Sequence, residues 1–295
     1  KFVSYKIAQD FRQRFVQRFV DMGVKVHMLV GNHDTFYKNT NDVNSLGELV
    51  DDRYSGISCY PNPTTIDIDG TPLCLIPWIC ADNYAETMNH IKETKAQVCF
   101  GHFEINGFEM HKGHFAESGM DGNFLKKFDT VFSGHFHKKS DNGHIYYLGN
   151  TYQMTWSDDG CPKGFHIFDT NTRELERIVN PHTIFEKVYY DDSNGTYDTY
   201  DVSKLNSKFV KVIVVNKKDF YQFDRFIDKV LTESGAHEVK IVEDFSELDA
   251  ENVDDTIIEN AEDNMTLIER YIDELDVDLD KSRLTNMMKS LYVEA

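Results

Sequence analysis

At 295 residues the chain has room for one large domain and one or two small ones. Its 40% hydrophobic content is that of a globular protein and excludes collagenous and low-complexity classes, and no apolar run is long enough to span a membrane. The net charge of −19 is uneven: residues 241–295 hold 17 acidic and 4 basic side chains, residues 1–30 hold 2 acidic and 6 basic, so any polyanion must be met by local basic patches or bound metals.

Residues 4–22 predict an amphipathic helix, with Ile7, Phe11, Phe15 and Phe19 near one face, Val16 and Val20 beside them, and Gly23 as its C-cap. A β-rich run over 24–30 ends in Gly31-Asn32-His33-Asp34. An Asn- and Asp-rich loop leads to a short helix at 46–50. Residues 64–68 and 73–76, joined through Asp69-Gly70, predict a hairpin that ends at Pro77-Trp78. A helix over 82–95 feeds a strand over 96–100, which ends in Gly101-His102-Phe103-Glu104. Residues 110–120 read as a polar loop, with His111 and His114 exposed in it.

The run 128–132 is a buried strand leading into Ser133-Gly134-His135-Phe136-His137. The glycine there predicts a sharp turn. In an extended segment residues two apart share a side, so the two imidazoles reach one point. Residues 145–149 and 164–169 are two further strands of a second sheet, with His166 structural and the turn Gly149-Asn150-Thr151 near the site. Beyond residue 182 a strand (209–215), a helix (220–232) and a strand (238–242) make a β-α-β unit. Residues 245–255 read as an acidic linker. Helices at 265–275 and 282–293 follow, flanking an acidic turn, with apolar faces that call for a partner surface. Cys59, Cys74, Cys80, Cys99 and Cys161 are scattered, without a Cys-x-x-Cys, and predict free thiols in a reducing cytoplasm.

Three predicted strands thus each finish in glycine followed by a metal-competent side chain. Ligands of open α/β sheets sit at the carboxyl ends of strands, where such loops converge. Gly31-Asn32-His33-Asp34, Gly101-His102 and Gly134-His135-x-His137, in that order, resemble the later motifs of calcineurin-like metallophosphoesterases. Within that family the chain resembles the double-strand-break-repair nuclease branch and its T-even-phage members. Leu75-Ile76-Pro77-Trp78 and the C-terminal Leu291-Tyr292-Val293-Glu294-Ala295 add to the likeness.

The resemblance implies an α/β fold: a four-layer α-β-β-α metallophosphoesterase sandwich (1–181), a small α/β capping domain (182–245), and an acidic linker with a two-helix tail (246–295). It implies a two-metal DNA nuclease, Mn²⁺-dependent, acting as 3′–5′ exonuclease and single-strand endonuclease in recombination and repair. Asn32, His102 and His135 would bind one metal and His137 the other. His33 would serve as general acid or stabiliser of the leaving oxygen, with Asp34 orienting its imidazole. Implied partners are DNA, a coiled-coil ABC-type ATPase gripped by the C-terminal helices, and a second copy of the chain. The family's Asp-x-His and Gly-Asp-x-x-Asp motifs do not precede Gly31, so the chain is expected to start inside the fold and to hold part of the metal site. A small-substrate metallophosphoesterase, or an incomplete subunit acting as a DNA- or ATPase-binding scaffold, are the alternatives.

Overall fold

The computed structural model describes residues 3–50, 54–111, 114–117, 119–193, 195, 197–243, 272, 281 and 283–285. The chain divides into two compact units. The first is Lys1–Gln153 with Gly160–His182, and the second is Met154–Asp159 with Thr183–Ala295. The predicted acidic linker lies outside the described residues. So do the two tail helices, apart from residue 272 and residues 281 and 283–285, which are helical.

The first unit opens on α1 (Tyr5–Phe11), a π-helical stretch (Arg12–Val16) and α2 (Gln17–Asp21), one continuous helical run. Ser4 caps it, accepting from the Ile7 N–H, and Gly23 ends it at φ +67. The π stretch changes which side is buried. Wider turns rotate the stripe expected from a uniform 3.6-residue period, so Ala8 and Val16 are buried while Ile7 and Phe15 are exposed. Phe11 instead stacks on Phe15, and Phe15 meets Phe19 edge to face, with ring centroids 5.3 and 4.9 Å apart. Arg12 ties this run to the end of a short helix, α3 (Ser45–Leu49), by donating to the carbonyls of Leu49 and Glu48.

Strands β1 (Val26–Leu29) and β2 (Ile57–Tyr60) pair in parallel. β3 (Thr64–Ile68) and β4 (Thr71–Ile76) form the predicted hairpin, with Asp69 and Gly70 both at positive φ as a two-residue turn demands. Helix α4 (Tyr84–Glu93) leads to β5 (Val98–Gly101). A short hairpin, β6 (Glu109–His111) and β7 (His114–Phe115), stands where a polar loop was expected. Then come β8 (Thr130–Ser133), β9 (Ser140–Asp141) and β10 (Ile145–Tyr147). The order β3-β4-β5-β8-β10-β9 makes one six-stranded sheet, parallel through its four central strands.

Such a sheet is covered on both faces, so its strands read as continuous apolar runs. Cys74, Ile76, Cys99, Val131 and Tyr147 share one face with Ile91 of α4. Leu73, Val98, Phe100, Phe132 and Tyr146 share the other with Phe168 and Leu175. Those last two belong to the antiparallel pair β11 (Gly164–Phe168) and β12 (Leu175–Val179). Residues 145–149 and 164–169 therefore do not share a sheet as expected: β10 pairs with β8, and β11 pairs with β12. All five cysteines are free, and Cys74 and Cys99, fully buried, act as small apolar side chains.

The second unit is a three-stranded parallel sheet, β13 (Phe185–Asp191), β14 (Phe209–Asn216) and β15 (Glu238–Val242), with α5 (Phe220–Glu233) on one face. Asp219 caps α5, which buries Phe223, Phe226, Ile227 and Val230 against Val188, Val210 and Val212. On the opposite face Lys187, Lys211 and Lys240 stand in register across the three strands. Lys211 Nζ lies 4.2 Å from the centre of the Trp156 ring.

Candidate metal centre

Strand β1 stops at Leu29, β5 at Gly101 and β8 at Ser133. The chain leaving these ends carries Asn32 and His33, then His102, then His135 and His137. His102 is the hub. Its backbone N–H donates to Ile76 O (3.1 Å), and Gly134 N–H donates to Gly101 O (3.1 Å), which clips the loops after β5 and β8 to their neighbours. His102 Nε2 lies 2.9 Å from Asn32 Oδ1 and 3.3 Å from His135 Nδ1. His102 Nδ1 accepts the His135 backbone N–H at 3.4 Å, which places the ring proton on Nε2, toward Asn32.

The four histidines share one electrostatic neighbourhood. Burial, then the imidazoles of His135, His33 and His137, push His102 down to about 3. Burial, then His33 and His137, push His135 down to about 4. Both central rings are neutral at pH 7 and keep lone pairs for a cation. His33 is exposed at the rim, whereas His137 is half-buried, its carbonyl accepting from Asn150 N–H (3.1 Å) and Lys163 Nζ (2.9 Å). The turn Gly149-Asn150-Thr151 thus lies against the His137 loop.

Each motif opens on glycine because of space. A Cβ on Gly31 would sit 2.9 Å from His102 Cε1, and one on Gly134 3.2 Å from His102 Nδ1. A Cβ on Gly101 would fall 2.2 Å from the Phe103 ring. None of the three has a positive φ; the left-handed residue is His135, at φ 39. The sharp turn expected at Gly134 therefore falls one residue later, in a bend rather than an extended segment, and strand alternation is not what brings His135 to the hub.

The Asp34 carboxylate accepts from Gly31 N–H (2.8 Å) and from the Ser45 hydroxyl (3.1 Å). Each oxygen thus helps to hold the loop that carries Asn32 and His33. Two neighbours went unassigned in the sequence. Trp78 stacks on His135, with centroids 5.5 Å apart and planes at 24°. Glu104 Oε2 lies 3.9 Å from His135 Nε2. Glu104 stands two residues after His102, so its place in the motif was the available signal; nothing local in the sequence marks Trp78.

The family model for calcineurin-like phosphoesterases matches residues 2–139. Exonuclease subunit 1 of Enterobacteria phage T4 is 35% identical over 299 residues, an alignment that takes in 100% of this chain and 84% of that protein. The chain belongs to the calcineurin-like phosphoesterases. It is thereby a hydrolase of phosphoester bonds, from a family that uses divalent metals.

The donors of this phosphoesterase fit such an ion in part. Two ligands about 2.1 Å from one octahedral ion, at right angles, are about 3 Å apart; the spacings of 2.9 and 3.3 Å around His102 Nε2 match that. A cation at this point takes the place of the proton now held between His102 and Asn32. Imidazole and carboxamide donors suit Mn, Fe, Zn or Ni. Among the described residues no group of three His, Cys, Asp or Glu side chains is placed to hold an ion by itself.

Two buried hydroxyls hold the loop that follows the hub. Tyr147 OH donates to Phe103 O (2.9 Å) and accepts from Ile105 N–H (3.0 Å), while Ser133 Oγ accepts from Phe103 N–H (3.1 Å). Burial holds the Tyr147 phenol well above its ordinary pKa, so it stays a donor. Tyr147→Phe leaves the Ile105 N–H without a partner in the core, a loss of about 1–3 kcal/mol. Urea unfolding of the phosphoesterase is expected to show a lower midpoint with an unchanged slope; an equal midpoint would mean that water replaces the phenol.

Proposed function

We propose that this chain is the nuclease subunit of an ATPase–nuclease complex that hydrolyses DNA phosphodiesters in recombination and repair, as 3′–5′ exonuclease and single-strand endonuclease. The observation that carries the reading is the convergence of three strand-end motifs on His102, in a chain related to a phage exonuclease subunit. Asn32, His102 and His135 hold one Mn²⁺ and His137 a second. A bound divalent metal would supply Lewis acidity and an activated water there.

The chain's own residues do the rest. His33, exposed beside the hub, holds a proton at the leaving oxygen. Asp34 pins Gly31 and Ser45 so that Asn32 and His33 keep their direction. Trp78 covers one face of His135 and limits water there. Residues 1–181 form the nuclease domain. Residues 182–245 form the capping, DNA-binding domain. Residues 246–295 bind the coiled-coil ATPase. The packed rings of Phe11, Phe15 and Phe19, with exposed Ile7, supply an apolar face for a second copy.

The test is Mn²⁺-dependent cleavage of labelled single- and double-stranded DNA. His33→Ala is expected to lower kcat by roughly 10²- to 10⁴-fold while Mn²⁺ binding, followed by electron paramagnetic resonance, stays at the wild-type level. A protein that remains silent with Mn²⁺ and its ATPase partner present overturns the nuclease reading. A fully active His33→Ala overturns the role of His33 alone.

A further inference from the structure

The segment just past His33 presents two rings at its surface. Phe36 and Tyr37 are 49% and 51% exposed, adjacent in sequence, and packed edge to face with centroids 4.8 Å apart. Here the loop is built to hold them out. Thr35, 3% exposed, donates its hydroxyl to Asn32 O and forms a bridge with Asn44, and Phe36 N–H donates to Val43 O. Asn41, also 3% exposed, donates to both Pro61 O and Trp78 O. Asn44 donates to Asn41 O and caps α3 by accepting from Gly47 N–H. Buried polar side chains at Thr35, Asn41 and Asn44 thus fasten the two ends of the loop that carries the rings.

Their position narrows what they are for. Phe36 is three residues from His33, a reach of at most roughly 10 Å. A phosphodiester bound at the histidine cluster therefore has its neighbouring nucleotide within range of the two rings. Every base has a π face, and aromatic platforms hold unpaired nucleotides whatever their sequence, while a base inside a duplex is already stacked. A preformed platform pays little conformational entropy on binding.

We infer that Phe36 and Tyr37 form a stacking platform for one unpaired base next to the scissile phosphate. The inference rests on the nuclease reading and adds a substrate feature to it: the chain selects frayed or single-stranded DNA at the site itself, through rings rather than through charge. Trp78 is not part of the platform, because its face is taken by His135.

The probe is a single-stranded oligonucleotide with 2-aminopurine at one of its three 3′-terminal positions, titrated with the whole chain. Stacking on a ring quenches that fluorescence. Wild type is expected to quench at one position. Phe36→Leu/Tyr37→Leu, apolar but without rings, is expected to lose the quench and to bind the oligonucleotide roughly ten-fold or more weakly. Tyr37→Phe is expected to keep both, which separates a ring requirement from loss of the hydroxyl or of the fold. Binding to a blunt duplex should change less than two-fold in the leucine variant. Equal quenching and affinity in wild type and leucine variant overturn the inference and leave the nuclease reading standing. A leucine variant that changes oligomeric state in sedimentation, with DNA binding intact, also overturns it and marks the rings as a protein contact. Wild type that neither binds nor cleaves DNA overturns the nuclease reading and this inference with it.

Discussion

Gly101→Ala is expected to destabilise the first unit by about 3 kcal/mol or more, at the upper end of what overpacking costs. The new Cβ would lie 2.2 Å from Cε2 and Cζ of Phe103, well inside contact distance. Neither side can yield. Gly101 ends β5, which is hydrogen-bonded to β4 and to β8 and carries the fully buried Val98 and Cys99. Phe103 is 1% exposed, packs edge-on against Phe124, and has its backbone fixed by Ser133 and Tyr147. For a unit of this size the loss corresponds to a fall in Tm of roughly 6–12 °C. Gly31→Ala is the instructive contrast. Its Cβ meets the His102 imidazole, at 2.9 Å from Cε1, so the shift falls on the hub ring and its hydrogen bonds rather than on the packed core. Gly31→Ala should therefore cost little stability and most of the metal affinity, whereas Gly101→Ala should cost both. Thermal melts of the two variants with and without Mn²⁺ separate the cases. Equal melting points for Gly101→Ala and wild type would mean that the Phe103 ring relocates.

That contrast also marks what the sequence made legible. Strand, glycine and metal-competent residue recur three times, and all three repeats meet at His102. The pattern is visible because strand ends and their loops are local, while the sheet that aligns them follows from apolar runs. The Asp69-Gly70 hairpin and the β-α-β unit were legible for the same reason. The reason for the glycines was not, because it lies in side chains from other strands: His102 beside Gly31 and Gly134, and Phe103 against Gly101. Trp78 was invisible as a neighbour of the site, since its ring meets His135 only through tertiary packing 57 residues further on. The first helix misled because periodicity assumes 3.6 residues per turn, and a π stretch over Arg12–Val16 shifts the buried side without a mark in composition. The sheet of β10 was misassigned for a related reason: an apolar run shows that a strand is covered on both faces, not which sheet it joins.

His102→Ala is expected to produce the largest loss of activity, and the reason is its position between two other proposed ligands. Asn32 Oδ1 and His135 Nδ1 each approach His102 Nε2, so its removal takes away a donor and the atom around which the others are arranged. Changing a residue that merely orients a ligand typically lowers metal affinity or activity by 10- to 100-fold; losing the hub should exceed roughly 100-fold in both. In the absence of metal His102→Ala should lose only about 1–3 kcal/mol, the worth of the ring's hydrogen bonds to Asn32 and to the His135 N–H. The informative measurement is therefore melting temperature against Mn²⁺ concentration. A ligand that binds only the folded state adds about 2.7 kcal/mol at a hundred times its Kd. Wild type and His33→Ala are both expected to show this rise, because the proposed task of His33 is at the leaving oxygen rather than on the ion. His102→Ala is expected to melt at one temperature across the same range. Should it rise like wild type, His102 is no ligand, and its proton to Asn32 is a structural hydrogen bond that joins the loop after β1 to the loop after β5.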